Sequence, residues 1–278
     1  MNSASRAEEP REFEISRYPK SRLGTIDVGR IGYRKHHVVG LLEVDVTEAR
    51  SRIRSAIRAG AAVSFTAWVL KTIGITVAEL PIVHAINRKR RTQVRFRDVD
   101  ISIPVEKELD GAKVPLMTVV RSTNSRSIEE IFADLSAAAA VDTKTESGYV
   151  LERRKSRDMA ALFFNLPQFL RMVVWRWLLS NPFVRKANMG TVIVTNVGSA
   201  GRFTGWIVPK SIHNLCFGIG SISCKPWVHR NAVVVREILC LTVLFDHDVI
   251  DGAPAARFVG KLVQNLEHAA GLHEYRNR

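Results

Sequence analysis

The chain has 278 residues, 46% of them hydrophobic, which is enough for one large core or two small ones and excludes a disordered or fibrous class. A formal charge of +14 favours a polyanionic partner, whether nucleic acid, acidic membrane or a phosphorylated cofactor, without choosing among them. Three cysteines, an odd number without C-x-x-C spacing, indicate neither a disulfide framework nor a zinc site and fit a reducing cytosol.

Residues 1–20 are charged and lack the apolar core of a secretory signal. The polar, proline-punctuated stretch at 8–22 reads either as an arm packing on a neighbouring subunit or as plain disorder. Arg34, Lys35, His36 and His37 form a cationic loop before a strand at 38–46. Asp45 or Thr47 can then cap a helix running through Ala49, Arg50, Ile53 and Ile57.

A strongly apolar helix follows at 63–80, with Trp68, Ile75 and Val77 among its members and Pro81 at its end. Ser64, Thr66, Lys71 and Thr72 interrupt it, so it falls short of the ~20 predominantly apolar residues of a membrane span and reads as core. The basic cluster at 87–92, flanked by short strands, suits either a solvated edge or a phosphate or RNA contact. Residues 99–105 and 114–121 pair as strands around the turn signal Leu109, Asp110, Gly111.

An alanine-rich helix is expected at 127–140, with Glu129 and Glu130 in its first turn favouring the helix dipole. The polar stretch 142–158 separates it from 159–184, rich in Phe, Leu, Trp and Val, broken by Pro167 and Pro182 and studded with Arg171 and Arg176. Three readings stay open for that segment: inner core, an oligomer contact, or an interfacial membrane helix carrying Trp175 and Trp177, with packing inside the assembly preferred over membrane. A strand closed by a glycine turn follows at 190–198, continued by 203–209 toward a further strand at 215–222. Thr195 within it is a good strand former.

The last stretch organises the rest. Residues 238–245 are apolar at nearly every position, as a central strand covered on both faces requires. They end in Asp246, His247 and Asp248, and Asp251 and Gly252 follow. Pro254 then falls in the first turn of a helix whose Ala255, Phe258, Val259, Leu262, Val263 and Leu266 recur at helical spacing. An imidazole therefore stands at the lip of a buried strand, with a carboxylate four residues on and a glycine that permits a tight chain reversal.

The string Phe-Asp-His-Asp-Val-Ile-Asp-Gly-Ala-Pro-Ala-Ala-Arg-Phe at 245–258 contains H-x-x-x-D-G at a strand, turn, helix junction near the C-terminus. It resembles the active-site motif of the acyltransferase family that includes chloramphenicol acetyltransferase and, more specifically, the dihydrolipoamide acyltransferase of 2-oxo acid dehydrogenase complexes. Condensation domains of peptide synthetases share the turn, but this chain is too short for their two lobes. Further matching phrases lie at 80–85 and 190–222, so the resemblance covers roughly 21–268.

The resemblance implies an α/β (α+β) fold, a two-layer sandwich with a central mixed β-sheet flanked by helices, as one catalytic domain over 21–278 with an atypical helical segment at about 159–186. It also implies chemistry: His247 as the base that deprotonates a thiol, Thr195 in place of the family's hydroxyl residue as donor to the oxyanion, and Asp251, paired with Arg34, holding the turn that Gly252 lets bend. Ordinary imidazole and thiol pKa values, about 6.5 and 8.5, differ by roughly 2.7 kcal/mol for full proton transfer, which is modest for a general base.

By the same resemblance the substrates are coenzyme A, or an acyl-coenzyme A, and a dihydrolipoyl group. No metal is expected, and the partners are two further copies in a homotrimer or a larger assembly of trimers, in the cytoplasm. No lipoyl or peripheral subunit-binding domain precedes the region, so a lipoylated carrier protein would act in trans. Asp248 departs from the branch, which has arginine after the motif histidine. Peripheral membrane contact is less favoured, and nucleic acid is disfavoured. The alternative from another class is a non-catalytic trimeric scaffold using its basic surface to bind a protein partner or acidic membrane.

Overall fold

In the computed structural model, which describes residues 21–89, 91–109, 112–140, 162–198 and 203–275, the chain opens with helix α1 (Ser21–Gly32) and turns into strand β1 (His37–Asp45). Asp45 ends that strand by accepting from both the backbone N–H (3.0 Å) and the hydroxyl (2.6 Å) of Thr47. A negative group therefore sits at the positive end of α2 (Thr47–Arg58). Helix α3 (Phe65–Glu79) begins on Ser64, whose Oγ accepts from the Ala67 N–H at 3.1 Å, and it buries Trp68, Leu70, Ile73 and Val77.

The basic cluster lies on a separate two-stranded sheet of β2 (Ile86–Lys89) and β3 (Thr92–Val94). Strands β4 (Ile101–Leu109) and β5 (Ala112–Val120) pair antiparallel in unbroken register. Helix α4 (Ile128–Ala140) starts in a reciprocal capping box: the Glu130 N–H donates to Ser127 Oγ (3.2 Å) and the Ser127 N–H to Glu130 Oε2 (2.7 Å). Residues 1–20, expected as an arm or a disordered tail, the turn residues Asp110 and Gly111, and the polar stretch 142–158 lie outside the described residues.

Both prolines of the atypical segment mark helix starts. Pro167 directly precedes α5 (Gln168–Ser180), and Pro182 opens α6 (Pro182–Met189), which Asn181 caps by accepting from the N–H groups of Phe183 and Val184. Strand β6 (Val192–Asn196) follows. Residues 203–214 are irregular rather than a continuation of it, and they lead to β7 (Leu215–His229) and β8 (Ala232–Asp246), each extending well beyond the apolar run read in it. Helix α7 (Gly252–Glu267) completes the order.

Six strands form one mixed sheet in the order β1-β8-β7-β6-β4-β5: β6 runs parallel to β4 and β7, and the other neighbours are antiparallel. The main core joins Trp68 and Ile73 of α3, Ile131 of α4, and Phe258, Leu262 and Leu266 of α7 to Val194, Phe217, Leu241 and Phe245 of the sheet. Phe258 meets the Phe245 ring edge-on at 5.8 Å, which fixes α7 against the end of β8 where the motif turn begins. A second, smaller cluster packs α1 on α5 through Val28, Ile31, Met172, Trp175 and Leu178.

Candidate active site

The motif turn is built mostly from backbone. At the end of β8 the Asp246 N–H donates to Asn214 O (2.8 Å), and the His247 N–H donates to His36 O (2.9 Å) in the loop leading to β1. The N–H groups of Val249 (2.9 Å) and Ile250 (3.2 Å) both return to Asp246 O, closing a tight turn that Ile250 anchors by burying its side chain. Asp251 then takes the N-cap position of α7 in an extended conformation without a side-chain cap bond. The side chains of His247 and Asp251 are exposed, so the imidazole is open to an incoming reactant rather than sealed in the core.

Beneath the turn lies a polar network. Asp246 is buried, and Lys35 Nζ sits 2.5 Å from its Oδ2 while also donating to Asn214 Oδ1 at 2.8 Å. Asn214 Oδ1 accepts a second bond from Arg185 Nη2 (3.2 Å), and its Nδ2 donates to Ala85 O (2.6 Å). Arg185 Nη2 also donates to Ile212 O at 2.8 Å. Burial brings the Arg185 guanidinium down to about 10, so it stays cationic at neutral pH, and Asp246 is the nearby carboxylate that favours its charge.

The histidines around this network divide by environment. Burial, helped by Arg185, pushes His213 down to about 3, so it is neutral: Nε2–H donates to Met189 O (2.8 Å), and Nδ1 accepts from the Ser211 hydroxyl (3.0 Å). Burial also lowers His37, whose Nε2–H donates to His213 O at 2.9 Å. His36 goes the other way. Its Nδ1 lies 2.9 Å from Asp248 Oδ1, and that hydrogen bond raises it.

Two expected supports take a different form. Arg34 makes no ion pair with Asp251: its side chain is exposed, and Lys35 and His36 hold the turn instead, through Asp246 and Asp248. The physical reason is burial, since Asp246 sits almost wholly out of water and needs a cation, whereas Asp251 is solvated. Gly252 is the first residue of α7 and has no left-handed backbone, and a Cβ added there would meet nothing within 4 Å, so the chain bends without needing glycine.

Thr195 lies half-buried on β6 opposite Gly218 of β7, and its hydroxyl has no hydrogen-bond partner among the described residues. Gly218 in turn faces Thr242 of β8, five residues before His247. With ~3.3 Å per residue along a strand and ~4.8 Å between strands, Thr195 and His247 stand on the order of 19 Å apart in one chain. One copy of the fold does not bring them together. Asp246, Lys35 and His36 lie in segments the sequence singles out, but Asn214, Arg185 and His213 converge only in three dimensions.

Residues 185–273, which run from the buried Arg185 through the motif turn to just past the end of α7, match the model of the 2-oxoacid dehydrogenases acyltransferase (catalytic domain) family. The chain is 24% identical over 280 residues to the lipoamide acyltransferase component of the branched-chain alpha-keto acid dehydrogenase complex of Bacillus subtilis, covering 94% of this chain and 57% of that protein. It is 33% identical over 132 residues to the dihydrolipoyllysine-residue acetyltransferase component of the pyruvate dehydrogenase complex of Acholeplasma laidlawii, covering 46% and 23%. The chain thus spans between about a quarter and just over half the length of these relatives.

Two solved structures share the fold at a TM-score of 0.66, each covering 98% of this chain and 99% of the other: the cubic core of a pyruvate dehydrogenase multienzyme complex (19% identity) and Azotobacter vinelandii dihydrolipoamide acetyltransferase (20%). Over residues 185–273 the chain is thus similar in sequence to 2-oxoacid dehydrogenase acyltransferase catalytic domains, and along nearly its whole length it shares the fold of such cores.

Proposed function

We propose that the protein is an acyltransferase that moves an acyl group between thiols, coenzyme A on one side and a dihydrolipoyl or other carrier thiol on the other, with His247 as general base. The observation that carries this reading is an accessible imidazole at the end of a buried strand, on a residue whose backbone N–H donates to His36 O and which directly follows the Lys35–Asp246 pair. The His247 ring takes the thiol proton, and the sulfur forms a bond to the thioester carbonyl carbon. The Thr195 hydroxyl donates to the oxygen as it becomes anionic. Collapse breaks the original carbon–sulfur bond, and the departing thiolate recovers the proton from the imidazolium.

A separation on the order of 19 Å, estimated from strand spacing, is several times the reach of a hydrogen bond, so the two groups of one chain cannot serve one carbonyl. A second copy supplies the missing half, with His247 of one subunit facing Thr195 of the next. A closed rotational assembly, a homotrimer or a larger shell of trimers, gives every subunit the same pair of half-sites. The carrier thiol arrives on a lipoylated protein, and the reaction runs in the cytoplasm.

The test is acyl exchange measured with a panel of acyl-coenzyme A compounds and a lipoylated domain. His247→Ala should lower the rate by roughly 10²-fold or more. Near-normal turnover in that variant removes the proposal. Acyl-coenzyme A should also raise the melting temperature by binding the native state. Neither exchange nor a thermal shift is the result a non-catalytic scaffold would give.

A further inference from the structure

The layer formed by α1, α5 and α6 has an unusual outer surface. Half of α5 is apolar and bare: Phe169, Val173 and Trp177 follow one another at i, i+4 spacing, 68%, 62% and 68% exposed, with Leu170 and Val174 beside them. The opposite half carries Arg171, Met172, Trp175 and Leu178 and packs on α1. A solvated helix face normally carries charges, and a bare apolar stripe of this breadth marks a surface that is covered in use.

Charge identifies what covers it. Among the described residues, α5 and α6 contain no carboxylate, and the one on α1, Asp27, is fully buried under Arg171, whose Nε (2.7 Å) and Nη2 (3.0 Å) grip both of its oxygens. What these helices expose are the cations Arg22, Arg30 and Arg176. Beside them is a shallow cleft lined by Ile26, Arg30, Tyr33 and Arg34, with Lys210 Nζ 5.7 Å above the exposed Tyr33 ring. A two-fold contact of this face with its own copy would bring Arg176 against cationic surface, whereas an anionic surface with an apolar interior answers both the bare stripe and the excess of cations.

We propose that this layer docks on an anionic lipid bilayer surface through α5, with Phe169, Val173 and Trp177 entering the headgroup boundary and Arg176 at the edge of the stripe meeting lipid phosphates. Helix α5 lies flat: at 13 residues it is ~20 Å long, short of the ~30 Å hydrocarbon core, and among the described residues no helix is long and apolar enough to cross a membrane. Trp177 at the apolar edge beside Arg176 is the arrangement such interfacial helices use.

The experiment mixes the full chain with sedimentable vesicles of phosphatidylcholine alone or of phosphatidylcholine with phosphatidylglycerol. The protein should sediment with the anionic vesicles, stay in solution with the neutral ones, and be released at roughly 0.5 M salt. The triple variant F169S/V173S/W177S should lose affinity by roughly tenfold or more while melting like the wild type, since all three side chains are exposed. Brominated lipid should quench the wild type, and W177F should remove that quenching. Absence of anionic-vesicle binding, or a triple variant that binds as well as the wild type, overturns the proposal. So does a triple variant that keeps vesicle binding but sediments as a smaller species, because the stripe would then be covered by protein.

Discussion

Lys35 Nζ lies 2.5 Å from Asp246 Oδ2, so a cation from the loop before β1 neutralises the carboxylate directly preceding His247. That carboxylate is about 1% exposed, and Lys35 is its ion-pair partner in a site where water cannot substitute. Removing one member of a buried pair costs about 3 kcal/mol because the other charge is stranded. Lys35→Met should therefore lower the urea midpoint by about that free energy and slow acyl exchange, and adding Asp246→Asn should recover part of the stability. A Lys35→Met protein that unfolds like the wild type would show that the pair does not hold the turn.

The distance between Thr195 and His247 leads to a complementation test. Thr195→Ala and His247→Ala proteins should each be nearly inactive. If each site takes its imidazole from one subunit and its hydroxyl from the next, co-assembling the two in equal amounts restores complete sites at about one junction in four, from random mixing in a closed ring. Exchange activity of the mixture measures this directly. A mixture as inactive as its components would mean that Thr195 and His247 do not share a site across subunits.

How much of this was readable in advance depended on whether the cause of a feature is local. The start of α4 after Ser127 and that of α7 at the motif each reside in a few consecutive residues, and each lies where the sequence indicates. Helix α1 was not readable, because Gly24, Gly29 and Gly32 suppress the helical signal, and the reason for Gly32 is distant: a Cβ there would stand 2.7 Å from Ser211 O. In place of the expected Arg34–Asp251 pair the turn has Lys35–Asp246, since the phase in which α1 ends decides which side chain faces the buried carboxylate. Asn214 and Arg185 carry no local mark; what makes them matter is the arrival of Lys35 and Asp246 from elsewhere in the chain.

Asp248, which departs from the family pattern, makes the edge of the site sensitive to pH. Its hydrogen bond raises the His36 pKa above the ordinary value, so the contribution of this clasp is fully present below about 6.5 and is lost as pH rises through the folded-state value. The buried His213 and His84, pushed down to about 3 and about 4, act in the opposite sense. The unfolded chain takes up their protons first, so stability falls as pH drops below about 6.5, each group steepening the loss by roughly 1.4 kcal/mol per unit until its folded value is reached. Asp248→Asn should move the His36 titration, followed by ring-proton NMR, toward lower pH while leaving the acid limb of stability unchanged. An unmoved His36 would mean the contact does not persist in solution.

Gly252 offers the last test, because nothing among the described residues requires glycine there. At the first position of a helix alanine is at least as favourable, by up to about 1 kcal/mol, so Gly252→Ala should melt at the wild-type temperature or slightly above it. The space over this residue, one position past Asp251 and five past His247, is open, and we take it as the thioester's approach to the imidazole. A methyl group placed there should raise KM for acyl-coenzyme A more than it lowers kcat, since it crowds the bound substrate without touching the base. If stability and exchange fall together instead, the space belongs to packing between subunits, and the substrate enters from another side of His247.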